Sequence, residues 1–145
     1  MLRQLLVGTA ASVCNIAIHA LVMATVVEVS SRIVDAKHTV RQSLRSTTVM
    51  IAIVSIATVP VLMAAHFSEV MVWSLAYAIV HAAAAGADPV YFAFVNYTTL
   101  GYGDVTPVER WRLLGPITAM NGVLMFGWST AVIFEVLRRT ARHAE

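Results

Sequence analysis

The sequence predicts an all-α membrane protein with three transmembrane helices, and a short re-entrant helix and polar loop placed before the last of them. Three observations carry this. Apolar residues make up 59% of the chain and charged residues 12%, a balance foreign to a soluble domain, and mean hydropathy is +0.75. The apolar residues gather into three runs, each long enough to cross a bilayer core at 1.5 Å per residue. Between the second and third runs the chain reads YTTLGYGD, residues 97–104, with two threonines, two glycines, two tyrosines and an aspartate crowded together.

The first run, Leu5 to Val27, is about 23 residues, longer than the apolar core of a secretory signal, and reads as a retained transmembrane helix within segment 1–29. No repeated arginines interrupt it, which excludes a voltage sensor. Asn15 and His19 lie one turn apart and are expected to hydrogen-bond another helix. Cys14 is the single cysteine and reads as a small apolar filler. Segment 30–46 carries Arg32, Lys37, Arg41 and Arg45 and reads as a basic cytoplasmic loop, or a surface helix at the headgroups.

The second run, Val49 to Ala85, holds no Gly, Asn or Asp. It is too long for one perpendicular crossing and too short for two, so a single tilted outer helix over 47–82 is expected, with Pro60 removing the bond to the Ile56 carbonyl. A four-crossing reading would divide this run near His66, but would put Arg32, Lys37, Arg41 and Arg45 on the outer side. Glu69, one turn from His66 and from Trp73, is a carboxylate in an apolar setting. Two readings stand: a side chain snorkelling to the outer headgroups, or a buried group that supports the loop from behind or senses pH through His66.

Gly86-Ala87-Asp88-Pro89 then punctuates the chain. Asp88 supplies an N-cap acceptor and Pro89 sits at the first helical position, where no N–H is needed, so a short helix over 89–98 is expected. The polar loop follows it directly. Irregular backbone at membrane depth survives only where it is buried in protein or lines a watery path. Successive carbonyls can point to one axis only if backbone handedness alternates, and Gly101 and Gly103 occupy alternate positions. Such a stack of carbonyls, with the Thr99 hydroxyl, offers a dehydrated cation partial negative charge in place of water. Glu109-Arg110-Trp111-Arg112 marks an interface, the last helix is expected over 113–138, and a short tail over 139–145 ends the chain. With segment 30–46 and the tail cytoplasmic, seven of the ten Lys and Arg lie inside and the N-terminus is external.

The motif T-T-L-G-Y-G-D, after a capped short helix and between two spanning helices, resembles the potassium channel pore-loop family. The resemblance extends from Val49 to Leu137, with the pore domain at 47–138. HFSEVMVW, WRLLG and GWSTA look like a group of small prokaryotic channels with an extra N-terminal helix. It implies a homotetramer around a pore, with K+ coordinated by the carbonyls of Thr99, Leu100, Gly101 and Tyr102 and by the Thr99 hydroxyl, in a filter over 99–103 that ends at Gly103. Leu100 stands where valine or isoleucine is more usual. Tyr102 is expected to turn its ring against Tyr91 or Phe92, and Asp104 to cap the outer mouth with a bond from Tyr91. Val95 stands where some relatives carry a glutamate, so a carboxylate pair with Asp104 is absent. Thr98 ends the pore helix, whose C-terminal dipole favours a cation. Gly122 is a candidate gating hinge or packing site, and Gly127 more a packing site.

A formal charge of +2 with dispersed basic residues argues against nucleic acid, and no metal-hydrolase, thiol, serine-nucleophile or phosphate-loop motif points to an enzyme. The expectation is a multi-pass cell-membrane channel for K+, in contact with lipid, with no cofactor beyond the permeant ions and no other small-molecule substrate. A poorly selective cation channel and a non-conducting membrane subunit are the alternatives.

Overall fold

The computed structural model describes residues 1–39 and 47–142. Their regular elements are helical: α1 Leu2–Thr39, α2 Thr47–Val80, α3 Pro89–Tyr97 and α4 Leu114–Arg142, with a 3₁₀ turn at Glu109–Trp111. Three stretches, Leu2–Arg32, Ala52–Val80 and Glu109–Ala141, are long and apolar enough to cross a membrane. α1 packs on α2 and α4, and α3 is held between α2 and α4.

α1 runs on to Thr39, past the expected end at residue 29. The polar residues after Glu28 include no Gly or Pro, and Glu28 pairs with Arg32 at 2.7 Å one turn on, so composition changes while helix formation does not. Of the expected basic segment, residues 40–46 lie outside the described residues, as do residues 143–145 of the tail. Over residues 2–32 of α1 the buried positions are 4, 8, 11, 15, 19, 23, 26 and 30, spaced by three or four. They form one seam facing α2 and α4, while Leu2, Leu6, Val13, Ile16 and Leu21 are left exposed for lipid. Gly8 belongs to this seam, where a Cβ would stand 2.9 Å from the Ile117 side chain.

α2 is continuous through Pro60 and His66, so the division that four crossings would need is absent. It stops at Val80 because His81 turns left-handed, with φ 51°, and the Ala82 N–H closes back on the Tyr77 carbonyl at 3.0 Å. The chain after this turn is tied to the segment beyond the polar loop. Val108 N–H donates to the Ala82 carbonyl at 2.8 Å, and Ala83 bridges Pro107.

α3 begins as its sequence dictates: the Asp88 side chain accepts from Val90 N–H at 2.8 Å, with Pro89 following. Its nine residues are too few to cross a bilayer core. The start of α4 is capped from a distance, as Gln4 of α1 accepts the Leu113 N–H at 2.8 Å. α4 continues to Arg142, into the expected tail, with Glu135 holding Arg138 at 2.6 Å and Arg139 at 2.7 Å.

Two apolar clusters make the core. One surrounds α3 and joins Ala11, Trp73, Tyr77, Phe92, Tyr97, Leu114 and Met125. The other joins Met23, Val26, Val54, Leu62 and Val136 toward the opposite end. On α1, α2 and α4 alike, a short polar stretch falls between the two clusters.

Candidate functional site

The polar loop hangs from the last turn of α3. Thr98 folds back on that helix, its N–H and hydroxyl donating to the Phe94 carbonyl at 3.0 and 2.7 Å. Thr99 N–H donates to Asn96 at 3.1 Å, and the Val95 carbonyl accepts from Leu100 at 3.0 Å and Gly101 at 3.4 Å. Carbonyls left over at the helix end thus take the first N–H groups of the loop. Val95 is buried and acts here through its backbone.

Backbone φ is positive at Thr99 (60°), Gly101 (58°) and Gly103 (81°), and at neither Leu100 nor Tyr102. Handedness therefore alternates over five consecutive residues. Two of the three left-handed positions are glycines, which adopt this region freely. Thr99 is β-branched and strained there, a cost that sequence inspection had no signal for.

Beyond the alternating segment, the Tyr91 hydroxyl donates to Asp104 Oδ2 at 2.6 Å. That bond to a carboxylate raises the Tyr91 hydroxyl above its ordinary value of 10.0, since ionisation would set two negative oxygens against each other. Leu100 and Tyr102 are 52% and 69% exposed in the single chain. Phe92 does not receive the Tyr102 ring; it is fully buried, with its ring 4.7 Å from Tyr77.

Behind the loop lies a buried polar cluster. Glu69 has no exposed surface, which overturns snorkelling to the headgroups. Its Oε1 meets His19 Nδ1 at 2.7 Å. Its Oε2 meets His66 Nδ1 at 3.1 Å and accepts from the Tyr97 hydroxyl. His66 Nε2 and His19 Nε2 both reach Ser129 Oγ, at 3.0 and 3.4 Å. Nearby, Asn15 Nδ2 donates to the Glu69 carbonyl at 3.2 Å and to Asn121 Oδ1 at 2.9 Å. Trp73 Nε1–H donates to the same Asn121 oxygen at 3.0 Å. The interhelical bonds expected of Asn15 and His19 are present, and both side chains are fully buried. Sequence inspection missed Asn121, Ser129 and Tyr97 as members of this cluster.

His19, His66 and Glu69 bring ligating atoms within 4.8 Å of one another. The Nδ1 atoms of both histidines and both carboxylate oxygens are already engaged in hydrogen bonds within the set, and the arrangement is read as a hydrogen-bonded cluster.

The glycines of α4 differ. A Cβ on Gly122 would stand 2.0 Å from the Tyr97 carbonyl oxygen, so in this conformation Gly122 is a contact point between α4 and the end of α3. Gly127 has nothing within 4 Å of a built Cβ, and the packing role expected for it has no partner among the described residues.

The C-terminal part of α2, the short helix, the loop and α4 as far as Arg139 fall in a region, residues 65–139, matched by the model of an ion channel family. The chain belongs to that ion channel family. No curated protein and no solved structure matches it. Membership in the ion channel family, with three helices apolar enough to span, makes this a multi-pass membrane protein and points to passive ion conduction rather than to enzymatic chemistry. The match begins at Ala65, within α2, and includes no residue of α1.

Proposed function

We propose that the protein is a potassium-selective channel, formed by four identical chains around a central axis and conducting dehydrated K+ passively. Residues 99–103 are its filter, with the carbonyls of Thr99, Leu100, Gly101 and Tyr102 and the Thr99 hydroxyl as ion ligands. The observation that carries this reading is the alternation of handedness at Thr99, Gly101 and Gly103. A segment whose residues alternate between left- and right-handed backbone turns its carbonyls toward one side, and a ring of such segments replaces a hydration shell. One chain supplies one quarter of that ring. The exposure of Leu100 and Tyr102 is the surface that neighbouring chains would cover.

In this reading α3 is a re-entrant pore helix, α2 and α4 are the outer and inner helices, and the permeant ion is the only ligand. The N-terminus is outside and the C-terminus in the cytoplasm in this reading, which the distribution of basic residues supports. Asp104, held by Tyr91, closes the outer end of the filter.

Flux from liposomes tests the proposal. Purified protein should pass K+ down its gradient well above Na+ down an equal one, with Gly101→Ala abolishing both. Equal flux of the two ions would mean a poorly selective cation channel. No flux, from protein that does not assemble as a tetramer on its own, would mean a non-conducting subunit.

A further inference from the structure

α1 lies outside the region that identifies the family, and it packs on α2 and α4 rather than on α3. It nevertheless reaches the proposed filter through one side chain. Glu69 is a flexible carboxylate whose two oxygens face different helices. Oε1 is taken by His19 of α1 at 2.7 Å, which leaves Oε2 turned toward α3, where Tyr97 donates to it. Tyr97 is the last residue of α3. The carbonyls of its two predecessors, Asn96 and Val95, accept the N–H groups of Thr99, Leu100 and Gly101. A shift of this last turn is therefore a shift of the filter's backbone anchor.

The cluster is built to hold one arrangement. His19, Glu69 and Tyr97 have no exposed surface, so no water competes for the carboxylate. His66 braces Oε2 from α2 while its other nitrogen is fixed on Ser129 of α4. Asn15 of α1 also holds the Glu69 backbone carbonyl at 3.2 Å, so α1 grips Glu69 at both its side chain and its main chain.

We propose that α1 is part of the filter's mounting: His19, by occupying Oε1 of Glu69, positions Oε2 to take the Tyr97 hydroxyl and so fixes the last turn of α3. His19 is a positioning residue that touches no ion. The proposal rests on reading residues 99–103 as the filter, and the test separates the two.

The experiment uses the full chain in liposomes, with His19→Leu, Tyr97→Phe, the double variant, and His19→Asn. Tyr97→Phe keeps the ring that packs edge-on against Phe126 at 5.4 Å and removes only the hydroxyl. Each single variant should raise the Na+/K+ flux ratio on the order of tenfold, and the double variant no further, because both break one chain of contacts. His19→Asn, whose amide nitrogen stands where Nδ1 stands and can still donate to Oε1, should keep the wild-type ratio. The wild-type ratio by itself reads the proposed function. Hydrogen exchange at Thr99, Leu100 and Gly101 reads the mounting whether or not the protein conducts, and should quicken on the order of tenfold in His19→Leu that elutes at the wild-type size. Unchanged exchange at these amides, or effects that multiply in the double variant, would overturn the proposal.

Discussion

The carbonyl oxygen of Tyr97 rests against Gly122 so closely that a Cβ there would stand 2.0 Å from the oxygen and 3.0 Å from the carbonyl carbon. Both atoms belong to the backbone of α3's last residue, one position before the loop begins to leave the helix. α4 thus meets the support of the loop with only a hydrogen between them, and no side chain can move aside to make room.

Gly122→Ala should accordingly cost about 1–3 kcal/mol through overpacking, and it should displace the end of α3. Gly127→Ala, with open space around a Cβ, should instead gain up to about 1 kcal/mol from helix propensity. Thermal unfolding of the two purified variants in detergent measures this directly. A Gly122→Ala variant as stable as the parent would mean that α4 stands further from α3 than its contact with Tyr97 requires.

The cluster around Glu69 makes a second prediction. Three side chains, His19, His66 and Tyr97, converge on its carboxylate, which has no exposed surface. Glu69→Ala leaves them without an acceptor and should destabilise the protein by about 3 kcal/mol, because breaking a buried charged network strands its partners. Glu69→Gln keeps one acceptor but presents an NH₂ to a neighbour that already donates. It should lose about 1–2 kcal/mol. Denaturation midpoints in the order parent, Gln, Ala are expected, and an Ala variant more stable than the Gln variant would count against the network.

What could be read from the sequence follows from how local each signal is. The three spans, the Asp88–Pro89 helix start and the alternate placing of Gly101 and Gly103 are all written within a few residues. The end of α1 was misjudged because apolar composition stops at Val27 while nothing that breaks a helix follows. The end of α2 was missed because His81 adopts a left-handed conformation that glycine usually announces. Glu69 was legible as an anomaly but its fate was not. That depends on His19, 50 residues before it, and on Tyr97, 28 residues after it, and neither spacing follows from local pattern. Gly122 likewise advertised a special position, yet only the fold shows which atom fills the space its missing side chain leaves.

Asn121 yields a third prediction. Its side-chain oxygen accepts from Asn15 at 2.9 Å and from Trp73 at 3.0 Å, joining α1, α2 and α4 at one atom. Asn121→Leu removes that acceptor, strands the indole N–H of Trp73, which has no exposed surface, and leaves Asn15 Nδ2 only its bond to the Glu69 carbonyl. A loss of about 2 kcal/mol or more is expected. Asn121→Asp retains the oxygen and should be the milder change in the same thermal assay, despite its added charge. With Trp111 and Trp128 replaced by Phe, Trp73 fluorescence provides a local check, shifting to the red in the Leu variant if water enters to satisfy the indole.

The end of the loop beyond Gly103 predicts a dependence on alkaline pH. The Tyr91 hydroxyl donates to Asp104 at 2.6 Å, and the bond to that carboxylate raises its pKa above 10.0. A raised value means that the folded state favours the protonated hydroxyl, so the bond's contribution is whole below the ordinary tyrosine range and is lost as pH rises through the raised value. Loss of the donor would leave two negative oxygens facing each other and free Asp104 from the position it holds. In the proposed K+ channel, flux should therefore be steady from neutral pH to about pH 10 and fall, or lose selectivity, above it. Tyr91→Phe should show the altered behaviour already at neutral pH and add no further change in the alkaline range. Asp104→Asn should weaken the alkaline transition from the other side, since an amide oxygen can accept the bond without repelling a phenolate. A transition of unchanged size and position in Tyr91→Phe would assign it to another group and remove Tyr91 from control of the outer mouth.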